Sequence, residues 1–216
     1  MGVVVSVNVG QIESIGVQRA IYSAIMKRPV PGRVRVRGVN LDGDDQEDRE
    51  NHGGPDQAVY AYSQESYAWW RARLDGWRLA AGTFGENLTT AGVEVDHAVI
   101  GTRWRVGTAL LEVTAPRIPC YKLATRMGEP RFLKWFVQAR RPGAYLRIVE
   151  EGELGAGDDV ELVSVPDHDV TIAMVFEAWL FDRSLLARII EAPQLGERAR
   201  AGALERLAAP RRAASA

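Results

Sequence analysis

Cys120 is the only cysteine in the 216 residues, and its surroundings set it apart. It lies in Pro116-Arg117-Ile118-Pro119-Cys120-Tyr121-Lys122, directly after the strand-like run Leu110 to Thr114. The two prolines restrict the backbone on either side of Arg117 and Ile118. A thiol at a strand exit with Arg117 and Lys122 close in sequence is in a setting that favours thiolate, the form that attacks electrophiles or binds soft metals. The plain alternative is a buried cysteine acting as a small hydrophobe. A catalytic Cys120/His52 pair is a third reading, but histidine precedes cysteine here and no local family signature supports it.

Other chemistry-bearing residues are scattered. His52 opens the loop His52-Gly53-Gly54-Pro55-Asp56, whose glycines allow close approach to a ligand, though a turn-stabilising role fits as well. Lys27 and Arg28, with Arg33, Arg35 and Arg37, form a basic cluster: either a solvated strand face or a place where Lys27 or Arg28 holds an anionic group. In Phe84-Gly85-Glu86-Asn87-Leu88, Asn87 offers both donor and acceptor to a heterocycle, or the segment is a turn entering a strand. Tyr67, Trp69, Trp70, Trp77 and Trp135 read as core rather than cofactor contacts.

The elements that must position these residues are mostly short strands. Val3 to Val9 and Ala20 to Met26 are apolar, largely β-branched runs, and Arg33 to Arg37 alternates with period two. Ser63-Gln64-Glu65 reads as the cap of a helix reaching about Leu74, and Arg131 to Arg140 has helical spacing. Strands with turns at Gly101 and Gly107 fill Val99 to Val113, and strands return from Gly143 to Val165. Such a series favours a barrel or sandwich. After Pro166 the pattern turns helical at Val170 to Leu180, Leu185 to Ile190 and Glu197 to Leu207. This divides the chain into a β-rich domain over 1–166, a small all-α domain over 167–210 and a disordered tail over 211–216.

Composition narrows the function classes. Twenty-seven Lys and Arg against 28 Asp and Glu give a formal net charge of -1, which supports neither a nucleic-acid coat nor an electrostatic membrane binder. One cysteine precludes an internal disulfide and every zinc pattern built on cysteine pairs. His52, His97 and His168 form no i, i+4 pair. The N-terminal apolar run is too short for a signal or spanning segment, so the expected location is cytoplasmic.

Taken together, the His52–Asp56, Phe84–Leu88 and Pro116–Leu123 segments, followed by Gly143-Ala144-Tyr145-Leu146-Arg147 and Gly155-Ala156-Gly157-Asp158, resemble MOSC domains, and within them the YiiM branch. The helices after Asp167 resemble that branch's three-helix C-terminal extension. The resemblance implies a mostly β, closed barrel-like fold and a molybdenum cofactor (Mo-molybdopterin) whose metal takes a cysteine thiolate, a position that Cys120 matches. It also implies reduction, and so detoxification, of N-hydroxylated compounds such as N-hydroxylated purine bases. On that basis Lys27, Arg28, Arg117 and Lys122 are the candidates for the pterin phosphate. Asn87 would contact pterin or substrate, and His52 would donate the proton to the departing water. No flavin, haem or iron–sulfur motif is visible, so electrons would come from a separate reductase. The C-terminal helix faces could dock that partner or a second copy in a homodimer. A MOSC module that carries cofactor or sulfur without turnover is the alternative. Gln57 departs from the pattern, since the family usually has Lys or Arg after His-Gly-Gly-Pro-Asp.

Overall fold

The β-branched N-terminal run forms strand β1 (Gly2–Val9), the strand on which the fold closes. In the computed structural model, which describes residues 2–16, 20–47 and 53–209, it is followed by the short strands β2 (Glu13–Ser14), β3 (Tyr22–Ser23) and β4 (Arg28–Pro29), then β5 (Arg33–Arg37) and β6 (Asn40–Leu41). Next come β7 (Val59–Ser63), β8 (Leu88–Ala91), β9 (Arg103–Val106) and β10 (Ala109–Pro116), and finally β11 (Ala144–Glu150), β12 (Gly152–Gly155) and β13 (Asp159–Ser164). The helices are α1 (Gln64–Arg71), α2 (Tyr121–Met127), α3 (Phe132–Ala139), α4 (Ile172–Leu180), α5 (Leu186–Ile189) and α6 (Glu197–Ala208). His52 and the 211–216 tail lie outside the described residues.

Seven strands pair in the order β13-β9-β10-β11-β7-β8-β1, and β1 pairs back to β13, so the sheet is a closed barrel without a free edge in that ring. Every pairing in the ring is antiparallel except β7 with β8, whose connection runs through α1. β10 is buried along its whole length, flanked by β9 and β11 and covered by α4. The alternation expected for β5 is observed: Val34 and Val36 point inward, and Arg33, Arg35 and Arg37 point outward. Those three arginines pair with Asp158, Glu153 and Asp42, so this part of the basic cluster is a solvated face.

Two apolar clusters hold the molecule. One runs from Val4, Val106 and Leu111 in the barrel through Val175 and Ile189 to Ala203 on the C-terminal helices. The other is aromatic and joins α1, α2 and α3: Trp70 stacks with Phe132 and Phe136, and its Nε1 donates to the Tyr62 hydroxyl at 2.8 Å. Ser63 caps α1 as expected, its Oγ accepting from the Ser66 N–H at 3.1 Å.

One segment differs from the sequence expectation, and one helix was not anticipated. Of the run Ala20 to Met26 only Tyr22–Ser23 is strand. The Ser23 hydroxyl accepts from the Ile25 N–H, and the Lys27 N–H bonds to the Ile25 carbonyl, so local turns displace the ladder. Helix α2 starts directly after Cys120 without a side-chain cap and ends at Gly128, whose φ is 65°.

Candidate functional site

The barrel's loops converge on a cleft of about 620 Å3, counted to its open mouth. Its walls come from six separate places in the chain. The turn between β3 and β4 supplies Ser23 to Ile25 and Lys27, and the loop after β6 supplies Asp44 to Glu47. Asn87 precedes β8, Arg117 follows β10, and Cys120 and Lys122 begin α2. Tyr60 and Tyr145 project from the neighbouring strands β7 and β11.

The structure therefore brings together five of the residues singled out in the sequence: Lys27, Asn87, Arg117, Cys120 and Lys122. Arg28 does not join them. Its side chain is 64% exposed and pairs with Glu13 at 2.8 Å: at the first residue of β4 it points outward, while Lys27 just before the strand is buried against Asp44. His97 and His168 also lie away from the cleft lining.

Lys27 is buried against Asp44, whose carboxylate also accepts from the Gly10 N–H at 2.7 Å and from Asn87 Nδ2 at 2.9 Å. Burial pulls the Lys27 ammonium below its usual range, and the Asp44 charge opposes that pull. Asn87 was expected to offer its amide to a ligand. Its Oδ1 takes the Tyr60 N–H at 3.1 Å and its Nδ2 bonds Asp44 and the Asn8 carbonyl, so its hydrogen bonds run inward and fix the loop.

Arg117 is only 7% exposed. Its guanidinium donates to the Phe84 carbonyl, lies 5.1 Å from the Tyr60 ring centre and interacts electrostatically with Tyr145 and Cys120. Gly85 makes room for it: with φ at 78°, an added Cβ would stand 2.8 Å from Ile25 and 3.1 Å from Arg117 Nη1. Lys122 pairs with Glu47. Cys120 itself is half-buried at the lip.

Two further residues carry signals that sequence reading missed, and Gln57, already singled out there, joins them. Burial holds the Tyr145 hydroxyl above its usual range, and the adjacent Arg117 opposes it, so a protonated phenol stands beside the thiol. Gln46 Oε1 is a buried acceptor with no hydrogen-bond partner among the described residues. Gln57, the departure from the usual cation, borders the cleft next to Cys120.

Behind the cleft, Glu86 is fully buried and collects donors from Tyr67 (2.6 Å), Gly82 (2.7 Å), Thr89 (2.8 Å) and Phe84 (3.1 Å). Burial pushes its carboxyl above the ordinary 4.5, against the pull of those donors. A carboxyl raised in the folded state stabilises fully below the unfolded value and loses that contribution as pH rises through the folded one. Relative to Glu86→Gln, which cannot titrate, the wild type is expected to lose stability as pH rises above about 4.5. Denaturant unfolding of both proteins at about pH 4 and pH 7 reads this difference, and a wild-type stability that stays level or rises with pH relative to the variant contradicts it.

A family model described as MOSC domain matches residues 48–161. The chain is 36% identical to Bacillus subtilis YflK over 170 residues, covering 78% of this chain and 76% of that protein. It is 33% identical to Escherichia coli YiiM over 180 residues, covering 81% and 80%. A Gibberella moniliformis protein named Reductase is 33% identical over 168 residues, 76% of this chain but 30% of that longer protein. In structure, the chain superposes on YiiM from Geobacillus stearothermophilus with a TM-score of 0.80 at 30% identity, covering 96% of this chain and all of that one.

Proposed function

This chain belongs to the MOSC-domain family, and from that premise we propose that it is a molybdenum-cofactor-dependent reductase of N-hydroxylated compounds, including N-hydroxylated purine bases. The observation that carries the reading is the place of Cys120: a single half-buried thiol at the lip of a cleft that also holds a buried guanidinium. The reductase name of the fungal relative supports the reaction class.

The residues present fit the cofactor. A single thiolate does not hold a metal ion by itself, so a metal at Cys120 would bring its other ligands with it, as a pterin-bound metal does. Cys120 would supply the soft protein ligand. Arg117 is the cation best suited to the pterin phosphate, since Lys27 is engaged with Asp44 and Lys122 with Glu47. The buried Oε1 of Gln46 would accept from a pterin N–H.

When bound, the cofactor supplies two-electron redox chemistry: the N–O bond of R–NH–OH breaks, and two electrons and two protons yield R–NH2 and water. A separate reductase would deliver the electrons. Tyr145, protonated beside the thiol, orients the departing hydroxyl by donating a hydrogen bond, and His52 remains the candidate proton donor. Loss of an N-hydroxylated base analogue would make the activity detoxifying. Among the described residues no helix is long and apolar enough to cross a membrane.

The test is turnover by protein expressed in a cofactor-competent host, with a reduced viologen dye as electron donor and N-hydroxylated adenine as substrate. The expected products are adenine and water in equal amounts. Stoichiometric molybdenum without any turnover would instead favour a carrier of the cofactor.

A further inference from the structure

Cys120 also borders a second cleft, between the β10–α2 connection and the C-terminal helices. It measures about 1050 Å3 to its mouth, and its walls include Ile118, Val175, Trp179, Leu180, Ala199 and Arg206. The two clefts differ in chemistry. The first is lined by Lys27, Arg117, Lys122 and the acidic run Asp44 to Glu47, the second mostly by apolar side chains and an indole. They meet at Gln57, Cys120 and Tyr145, which line both.

We propose that the second cleft receives the organic substrate as a planar aromatic N-hydroxylated base, and that Trp179 selects it by stacking. The reductase reading is needed only to say which group of that molecule faces Cys120.

Trp179 is held as a platform. Gly202 lies in the interior of α6, where glycine costs about 1 kcal/mol relative to alanine, yet an added Cβ would stand 3.1 Å from Trp179 Cζ2 and closer still to the adjoining ring atom. The missing side chain lets α6 approach the indole. The Arg206 guanidinium lies 4.2 Å from the ring centre and donates to the Trp179 carbonyl at 2.7 Å. With the guanidinium over one face of the indole, a heteroaromatic ring would stack on the other, a flat, polarisable surface.

The cleft's two walls are tied at fixed separation. Asp56 pairs with Arg147 of β11 at 2.9 Å and accepts from the Glu197 N–H of α6 at 2.7 Å, while the Gly196 N–H bonds the Thr114 carbonyl of β10 at 3.0 Å. A preformed cleft lined mostly by apolar side chains with a few polar groups suits a planar heteroaromatic ligand. Gln57 adds no charge at the end shared with the first cleft, and the cations that line this cleft, Arg198 and Arg206, both lie on α6.

Isothermal titration calorimetry of the full-length apoprotein with N-hydroxylated adenine tests this directly. The wild type is expected to bind, and Trp179→Ala to weaken binding about tenfold or more. Ala199→Phe, which fills the cleft without removing a contact, is expected to weaken it similarly while the unfolding midpoint stays close to that of the wild type. No binding by the wild type, or unchanged binding by both cleft variants, overturns the proposal. Binding of the base through Trp179, together with absence of molybdenum from wild-type protein made in a cofactor-competent host, leaves the cleft assignment standing and removes the cofactor reading instead.

Discussion

Protein carrying Cys120→Ser, purified from a cofactor-competent host, is expected to contain little or no molybdenum and to have lost N-hydroxylated adenine reduction, while unfolding much as the wild type does. The first half follows from ligand chemistry. A serine hydroxyl keeps its proton near neutral pH and is a hard donor, whereas the metal site calls for a soft anionic one. Disturbing a residue that merely supports a ligand costs about 10- to 100-fold in metal affinity. Removing the only cysteine in the chain should cost at least that much. The second half follows from position: Cys120 is half-buried and α2 begins after it without using its side chain as a cap. Exchanging sulfur for oxygen there should change stability by less than about 1 kcal/mol. Elemental analysis by mass spectrometry, paired with a denaturation curve, reads both halves. A variant that retains stoichiometric metal would show that the thiol is not the ligand; one that fails to fold would show that it is structural.

The thiol could be read from sequence because its neighbourhood is local: two prolines, an arginine and a strand exit lie within a few residues. The same holds for the Ser63 cap and for the alternation of β5, each of which depends on residues close in the chain. What could not be read depends on closure. β1 meets β13 across nearly the whole β-rich region, and that pairing has no local signature. Closure also decides which cation reaches the cleft. Lys27 and Arg28 are adjacent, and only register places Lys27 inside and Arg28 out with Glu13. Asn87 was legible as a polar residue in a telling place, but its partners Asp44 and Asn8 come from distant loops, so its commitment was not. Helix α2 escaped notice because a cysteine stands where a Ser, Thr, Asp or Asn cap would have announced it. The second cleft needs two remote segments, β10 and α6, and no motif spans them.

Asp44→Ala is expected to be the most destabilising single change near the site, on the order of 3–5 kcal/mol. Its side chain is 2% exposed and supports three groups at once: the Lys27 ammonium, the Gly10 N–H and the Asn87 amide. Without the carboxylate, Lys27 must either remain charged in a buried setting or lose its proton, and the Gly10 N–H and the Asn87 amide each lose an acceptor. The sign of the pH dependence follows. The Lys27 ammonium already lies below its ordinary 10.5 through burial, and loss of Asp44 removes the main opposing influence. Above the folded value the unfolded chain binds the extra proton, so stability of the variant rises with pH towards 10.5. Its deficit against the wild type should therefore be larger at about pH 6 than at about pH 9 in denaturant unfolding. Adding Lys27→Met removes the stranded charge, and the double variant should be more stable than Asp44→Ala by itself. A single variant within about 1 kcal/mol of the wild type, or a double variant worse than the single, would mean that the Lys27–Asp44 pair does not support the wall of the cleft. Because the same pair holds Asn87 against the β7–β8 junction beside Arg117, the variant that does fold should also take up less molybdenum than the wild type, linking the buried ion pair to the shape of the site rather than to its chemistry.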